Sequence, residues 1–74
     1  MMNITAAKNE LALFDVIFDE VIEETKDRLI QVLELENGAT VYEDYRFTDN
    51  HYVKKVEYSF NGDSCSWEQY GERW

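Results

Sequence analysis

The sequence predicts an α+β domain in which a long N-terminal helix packs on a three-stranded antiparallel β-meander. Two observations support this prediction. Apolar residues recur at helical spacing from Ile4 to Leu33, and hairpin turns divide the residues after Gly38 into short segments. We expect a single domain over residues 1–74, with the helix over about 5–36 and strands over about 39–48, 51–60 and 63–70.

The helix is predicted from a stripe of apolar side chains along one side of the chain. At about 100° per residue these side chains fall within roughly 60° of one line, which is wide enough to face a core. Thr5 or Asn3 can cap the start of the helix, and Asn37-Gly38 supplies a left-handed stop. The stripe consists of Ile4, Ala7, Leu11, Phe14, Phe18, Val21, Ile22, Leu29, Val32 and Leu33.

A competing interpretation ends the helix near residues 24–27 and makes residues 29–36 a strand. Asn37-Gly38 is then a two-residue hairpin turn. In that register the three leucines of the segment share a face with Tyr42, and the other apolar residues take the opposite face. Neither face is then clearly solvent-exposed. We prefer the long helix, because leucine, glutamate, glutamine and lysine are good helix formers and the apolar stripe does not change phase.

The second half is predicted as two hairpins that select the same inner face, through turns at Asp49-Asn50 and Asn61-Gly62. The turns pair Phe47 with Tyr52, Val41 with Tyr58, Glu43 with Val56, Asp44 with Lys55, Tyr58 with Cys65, Val56 with Trp67 and Lys55 with Glu68. The predicted buried side comprises Val41, Tyr45, Phe47, Tyr52, Val56, Tyr58, Cys65 and Trp67. Asp44, Lys55 and Glu68 form a charge row on the outer side. Glu43 is a misfit on the inner face, and we expect its carboxylate to reach water at the sheet margin.

A second apolar group, Leu13, Val16 and Ile17, lies on the side of the predicted helix away from the stripe. Because one small sheet cannot cover both sides of a helix, we expect a partner helix to cover this group. A second copy of the chain in a homodimer is the simplest source of that helix. The alternative is that these three residues are scattered surface apolar residues of the ordinary kind.

Nothing in the sequence predicts catalysis, a cofactor or a metal site. His51 lies in a turn, and the strand register separates it from Cys65 by about 23 Å, so the two cannot form a catalytic pair. The acids of the predicted helix fan over its outer face without converging on an ion, and no glycine-rich phosphate loop is present. We therefore expect a protein that is not an enzyme.

The compartment is predicted from the cysteine count and from the N-terminal apolar segment. Cys65 is the one cysteine, so the chain contains no internal disulfide, and a reducing compartment such as the cytoplasm is expected. Asp15 and Asp19 interrupt the apolar run from Leu11 to Phe18. We therefore expect neither a signal peptide nor a membrane span.

Charge is the strongest functional signal in the sequence. The formal net charge is −9, and residues 1–38 carry nine acids against three bases. Such a field attracts basic surfaces and repels phosphate backbones, so we expect a basic protein partner and no direct nucleic-acid binding. On the predicted helix, successive outer acids would lie about 5 to 6 Å apart, near the phosphate spacing of one nucleic-acid strand. The candidate partner-binding residues are Asp19, Glu20, Glu23, Glu24, Asp27 and Glu34.

A very small, cysteine-poor, strongly acidic domain with one helix and a hairpin meander resembles bacteriophage-encoded inhibitors of host defence, of the anti-restriction and anti-CRISPR kind. The resemblance covers the whole chain in size and charge, and it carries over no residue by position. It implies a nucleic-acid mimic in the host-cell cytoplasm that occupies the groove of a basic nucleic-acid-binding protein or nuclease complex. Two alternatives stay open. One is a structural or adaptor homodimer that binds through its apolar helix face, with acids that only keep it soluble. The other is a small acidic antitoxin.

Overall fold

The computed structural model describes residues 3–72 and shows a five-stranded antiparallel sheet with one short helix. The helix α1 spans Ile4–Leu13, and the strands are β1 (Val16–Glu24), β2 (Arg28–Leu35), β3 (Thr40–Phe47), β4 (His51–Phe60) and β5 (Asp63–Glu72). Each strand pairs with the next along the chain, so β1 and β5 are the two edges of the sheet.

The prediction of one helix over about residues 5–36 on a three-stranded meander is wrong. The helix ends at Leu13, and its C-cap Phe14 is already extended, with φ −97° and ψ 141°. The residues that follow form the hairpin of β1 and β2, so the sheet has five strands. The competing interpretation is correct for β2 but not for β1, because it also keeps residues 16–24 in the helix.

The β1–β2 hairpin is irregular on the β1 side. The register shifts between Val16 and Phe18 and again between Val21 and Glu23, so Ile17 and Ile22 have no Cα partner on β2. Such bulges bend an edge strand and disturb its alternation. The β-branched residues of β1 suit an extended backbone better than a helix. At the turn, the Thr25 amide donates to the Arg28 carbonyl at 2.7 Å.

The β2–β3 loop sets the register of the leucines. The Gly38 amide donates to the Leu35 carbonyl at 3.0 Å, the Leu35 amide donates to the Ala39 carbonyl at 2.9 Å, and Gly38 has φ +92°. This is a three-residue loop with glycine in the left-handed position. Leu33 therefore lies opposite Val41, one residue away from the register of a two-residue turn.

Both predicted hairpins of the second half are confirmed. Asn61 and Gly62 have φ values of +52° and +87°, the pair of left-handed residues that a type I′ turn requires. Every cross-strand pair predicted from the two turns occurs, including the outer row Asp44, Lys55 and Glu68. On the inner face Val41, Val56, Tyr58 and Trp67 are buried, whereas Tyr45, Phe47, Tyr52 and Cys65 are partly buried.

The apolar core lies between α1 and one end of the sheet. Ala7 is the buried residue of the helix, and the fully buried side chains of the sheet include Leu35, Val41, Val56 and Tyr58. The Tyr58 hydroxyl donates to Glu10 Oε2 at 2.7 Å and accepts from Asn37 Nδ2 at 3.1 Å. This buried hydroxyl therefore joins the helix to the β2–β3 loop.

The other end of the inner face is polar and aromatic. Glu43 is only 4% exposed, and it forms an ion pair with Lys54 and accepts from Gln31 Nε2 at 2.7 Å. The expectation that Glu43 reaches water is wrong, because neighbouring side chains of the same face satisfy it. Lys54 Nζ also lies 5.2 Å from the centroid of the Tyr45 ring, which stacks on Phe47 at 5.9 Å. Burial lowers the pKa of Lys54, but the contacts with Glu43 and Tyr45 together outweigh burial, so the net shift is upward.

We expect Tyr58→Phe to lower the free energy of unfolding by about 1–2 kcal/mol, because the change removes a buried hydrogen bond to a carboxylate. The matched control is Tyr70→Phe, since Tyr70 is 73% exposed and should lose nothing measurable. Urea unfolding at pH 7 tests both variants. Equal midpoints for Tyr58→Phe and the wild type would contradict the role given to this hydroxyl.

The same tyrosine predicts a loss of stability in alkali. Burial raises the pKa of Tyr58, the Asn37 contact lowers it and Glu10 raises it again, with a net rise above the ordinary value. A phenol with a higher pKa in the folded state contributes fully below about pH 10, and this contribution is lost as pH rises through the folded value. Between pH 9 and 11, Tyr58→Phe should therefore lose less stability than the wild type.

Lys54→Met should destabilise the fold by about 2–4 kcal/mol, because it leaves the buried Glu43 carboxylate without its cation. The double variant Glu43→Leu/Lys54→Met should recover most of this loss, since it removes both charges together. Urea unfolding of the two single variants and the double variant measures the coupling. Additive losses would show that the two residues do not act as a pair.

Candidate partner-binding surface

The edge strand β1 is the most exposed element of the structure. All nine of its residues are exposed, and among residues 3–72 no strand pairs with its outer side. It carries four acids and no base. Its five large apolar side chains are between 47% and 65% exposed; they are Val16, Ile17, Phe18, Val21 and Ile22. This combination of apolar and acidic groups makes β1 the candidate binding surface.

The predicted acidic residues are exposed but do not form a helical row. Four of them, Asp19, Glu20, Glu23 and Glu24, lie on β1. Asp27 lies in the turn that follows β1, and Glu34 lies on β2. The predicted spacing of 5 to 6 Å along one helix face is therefore wrong. What the structure brings together is an acidic β1–β2 hairpin, because six of the nine net negative charges fall within residues 15–36.

The pairing of β1 with β2 assigns its acids to opposite faces of the sheet. Asp19 lies opposite Leu33, on the face that carries the helix. Glu20 lies opposite Val32, on the outer face. Consecutive carboxylates therefore project to both sides of the edge, as alternation along a strand requires. A groove that received this edge would meet negative charge on both of its walls.

Arg28 does little to neutralise these acids. Its Nη1 lies 3.7 Å from Glu23 Oε2, and both side chains are more than a third exposed, so this ion pair is weak. Its stronger contacts are with Asp44, through Nε at 3.3 Å and Nη2 at 3.1 Å. The hydrogen bond with Asp44 raises the pKa of Arg28 despite burial. Arg28 is thus held on the outer face by Asp44.

The predicted dimer residues do not lie on a helix face. Leu13 is the last residue of α1, Val16 begins β1, and Ile17 lies at the first bulge. The prediction that they share a helix face is wrong, because α1 ends at Leu13. All three side chains are nevertheless exposed, by 74%, 47% and 65% respectively. They form a small apolar surface at the junction of α1 and β1.

The sequence prediction missed three surface residues of β1, because it placed Phe18, Val21 and Ile22 in the core stripe. Their exposed fractions are 52%, 54% and 56%. The available signal was the density of β-branched residues between Val16 and Ile22, which favours a strand. The helical spacing outweighed that signal in the prediction.

Within residues 3–72, His51 and Cys65 lie far apart on the sheet. His51 pairs with Glu72 and Cys65 pairs with Tyr58, which places them seven residues apart along β4. In the described part of the chain, no three histidine, cysteine or acidic side chains are grouped to hold a metal ion. No helix within residues 3–72 has the length and apolar character to cross a membrane.

A pocket lies away from β1. It has a volume of about 390 Å³ and lies between the start of β4 and the end of β5, beside His51, Tyr52 and Tyr70. Gly71 allows the Tyr52 ring to lie there, because an added Cβ would come within 2.6 Å of that ring. The pocket is open to solvent.

Comparison with known proteins gives no match to a protein-family model, to a curated protein or to a solved structure. The fold and surface define a small acidic protein with one helix on a five-stranded meander and an exposed apolar edge.

Replacing Asp19, Glu20 and Glu24 by lysine should leave the fold intact, because all three side chains are exposed on the edge strand. We expect a change in unfolding free energy within about 0.5 kcal/mol per site. Urea unfolding and far-UV circular dichroism measure it. A loss of more than about 3 kcal/mol in the triple variant would show that these carboxylates hold the hairpin together.

Proposed function

We propose that this protein is a small acidic binding protein that inhibits a nucleic-acid-binding protein by occupying its basic groove. The acidic β1–β2 hairpin is the contact surface, with Asp19, Glu20, Glu23, Glu24, Asp27 and Glu34 as the contact residues. The protein acts in the cytoplasm of a bacterial host as a binding partner and not as a catalyst. The exposure of all six carboxylates on one hairpin is the observation that supports this proposal.

The concentration of charge on the hairpin favours binding over simple solubility. Residues 15–36 carry eight acids against two bases, whereas residues 37–74 carry seven acids against four bases. Charge that served solubility alone could be spread evenly over the surface. A single acidic projection instead directs the protein toward a positive cleft and raises the rate of encounter at low salt.

The extended backbone of β1 also suits a groove built for a nucleic-acid strand. A strand advances about 3.3 Å per residue, and duplex DNA presents one phosphate per about 3.4 Å of axis on each strand. β1 places four carboxylates on nine residues, so it can follow a phosphate path at a lower charge density. Its exposed apolar side chains would add contacts that a phosphate backbone does not make.

A second candidate function is a structural or adaptor homodimer, and the exposure of Leu13, Val16 and Ile17 favours it. In that case the acids serve solubility, and the apolar surface at the α1–β1 junction is the interface. An acidic antitoxin would use the same hairpin against a basic toxin. Light scattering on the purified protein separates the homodimer from the other two functions.

The proposed function predicts competition with DNA. A bacterial lysate is bound to DNA-cellulose at about 50 mM salt and eluted with the purified protein. The wild type should displace at least one DNA-binding protein, because its carboxylates compete for the same lysines and arginines. The triple variant Asp19→Lys/Glu20→Lys/Glu24→Lys should displace none. Mass spectrometry of the eluates provides the measurement.

The matched control for this elution is Asp49→Lys/Asp63→Lys/Glu68→Lys. These three exposed acids lie away from the β1–β2 hairpin, and reversing them changes the net charge by the same amount. The control should elute the same proteins as the wild type. Equal loss in both variants would show that net charge matters and the hairpin does not. Failure of the wild type to displace any protein would remove the proposal.

A further inference from the structure

The two edges of the sheet differ in what they offer a partner. On β5, Trp67 is buried, Cys65 is partly buried, and Tyr70 is the one large apolar side chain that is exposed. On β1 every residue is exposed, and five of them are large and apolar. The unpaired backbone of β1 is therefore flanked by side chains able to bury surface against a sixth strand.

We propose that β1 is a site for β-strand addition, and that its occupant is an extended cationic segment of the partner protein. The added strand pairs with the outer backbone of β1 and extends the meander to six strands. This inference rests on the proposed function for the basic character of the partner. It goes beyond that function in stating how the partner is held, by a backbone ladder as well as by charge.

The bulges limit the site to a short window. Ile17 and Ile22 interrupt the register, and between them the residues 18–21 pair regularly with β2. In this window the side chains of Phe18 and Glu20 project to the outer face, and those of Asp19 and Val21 project to the helix-bearing face. Each face thus offers one apolar group and one carboxylate.

The window specifies the sequence pattern of its occupant. Residues that lie directly opposite each other across a ladder interact most strongly. An apolar residue therefore suits the positions opposite Phe18 and Val21, and a lysine or arginine suits those opposite Asp19 and Glu20. The resulting pattern is apolar, cationic, cationic, apolar. Because the pattern is the same in both directions, it fits a parallel or an antiparallel strand.

Charge argues against a second copy as the occupant. Pairing of β1 with β1 would place eight carboxylates in one two-stranded ladder that contains no base. Like charges opposite each other are destabilising, and acids with bulges protect an edge from self-association. The matching pattern does occur in this chain, at Val53–Val56, but that segment pairs on both sides, with β3 and β5. A folded second copy cannot offer it.

The probe for this site is the synthetic peptide acetyl-Thr-Val-Lys-Lys-Val-Thr-amide. It is titrated into the ¹⁵N-labelled full-length protein and followed by NMR. We expect shift changes to centre on residues 16–24 and amide exchange in β1 to slow at least threefold at saturation. The same peptide, N-methylated on its four central residues, keeps its charge but cannot form a ladder. It should bind at least tenfold more weakly.

A charge exchange tests the side-chain pattern. The variant Asp19→Lys/Glu20→Lys should no longer bind the lysine peptide and should bind acetyl-Thr-Val-Glu-Glu-Val-Thr-amide, which we expect the wild type not to bind. The control Glu57→Lys/Glu68→Lys should retain the lysine peptide, because both acids are exposed away from β1. Binding of the glutamate peptide by the Asp19→Lys/Glu20→Lys variant would show that the variant is folded. Unfolding would then be excluded as the reason why it no longer binds the lysine peptide.

The outcomes separate this inference from the proposed function. Equal binding of the methylated peptide would overturn strand addition, while displacement of proteins from DNA-cellulose could still occur. Strand addition without any such displacement would support this inference and remove the inhibitory function. A dimeric mass in light scattering, with β1 amides already protected in the free protein, would show that a second copy occupies the edge and would also overturn the inference.

Discussion

One ten-residue helix has to cover a five-stranded sheet, and this constraint shapes the rest of the molecule. The helix is about 15 Å long, whereas strands of eight to ten residues extend for about 26–33 Å. A continuous apolar core is therefore restricted to the end of the sheet that holds Tyr58 and Trp67. Beyond it, the inner face is closed by the Glu43–Lys54 ion pair and by stacked aromatic rings. The apolar side chains of β1 are left in solvent.

The second half could be predicted because its turns fix the register. Asn61-Gly62 provides two left-handed residues in sequence, and this turn chemistry determines which residues face each other along β4 and β5. The inner and outer sets then follow from alternation alone. Glu43 shows the limit of that argument. Its place on the inner face was predicted, but its partners Lys54 and Gln31 belong to neighbouring strands, and the expectation of water contact ignored them.

The first half was mispredicted because bulges and exposure hide the strand period. Extra residues at Ile17 and Ile22 shift the alternation of β1, so its apolar positions match helical spacing by coincidence. The sequence favours a helix over β2 because the segment has apolar residues on both faces of a strand and is rich in good helix formers. The three-residue loop ending at Gly38 moves Val41 opposite Leu33 and Tyr42 to the outer face. The loop length therefore sets which residues face each other across β2 and β3.

The candidate acids are exposed, as the sequence predicts. The reason given for that prediction, the outer face of a long helix, is wrong. A carboxylate with no buried partner stays in water on a helix or on an edge strand, so hydration fixes its exposure while the backbone fixes its spacing. On β1 the same carboxylates have two consequences. They oppose pairing with a second copy of this acidic edge, and they favour the approach of a cationic chain. In the strand addition proposed above, charge would select the partner and backbone hydrogen bonds would hold it.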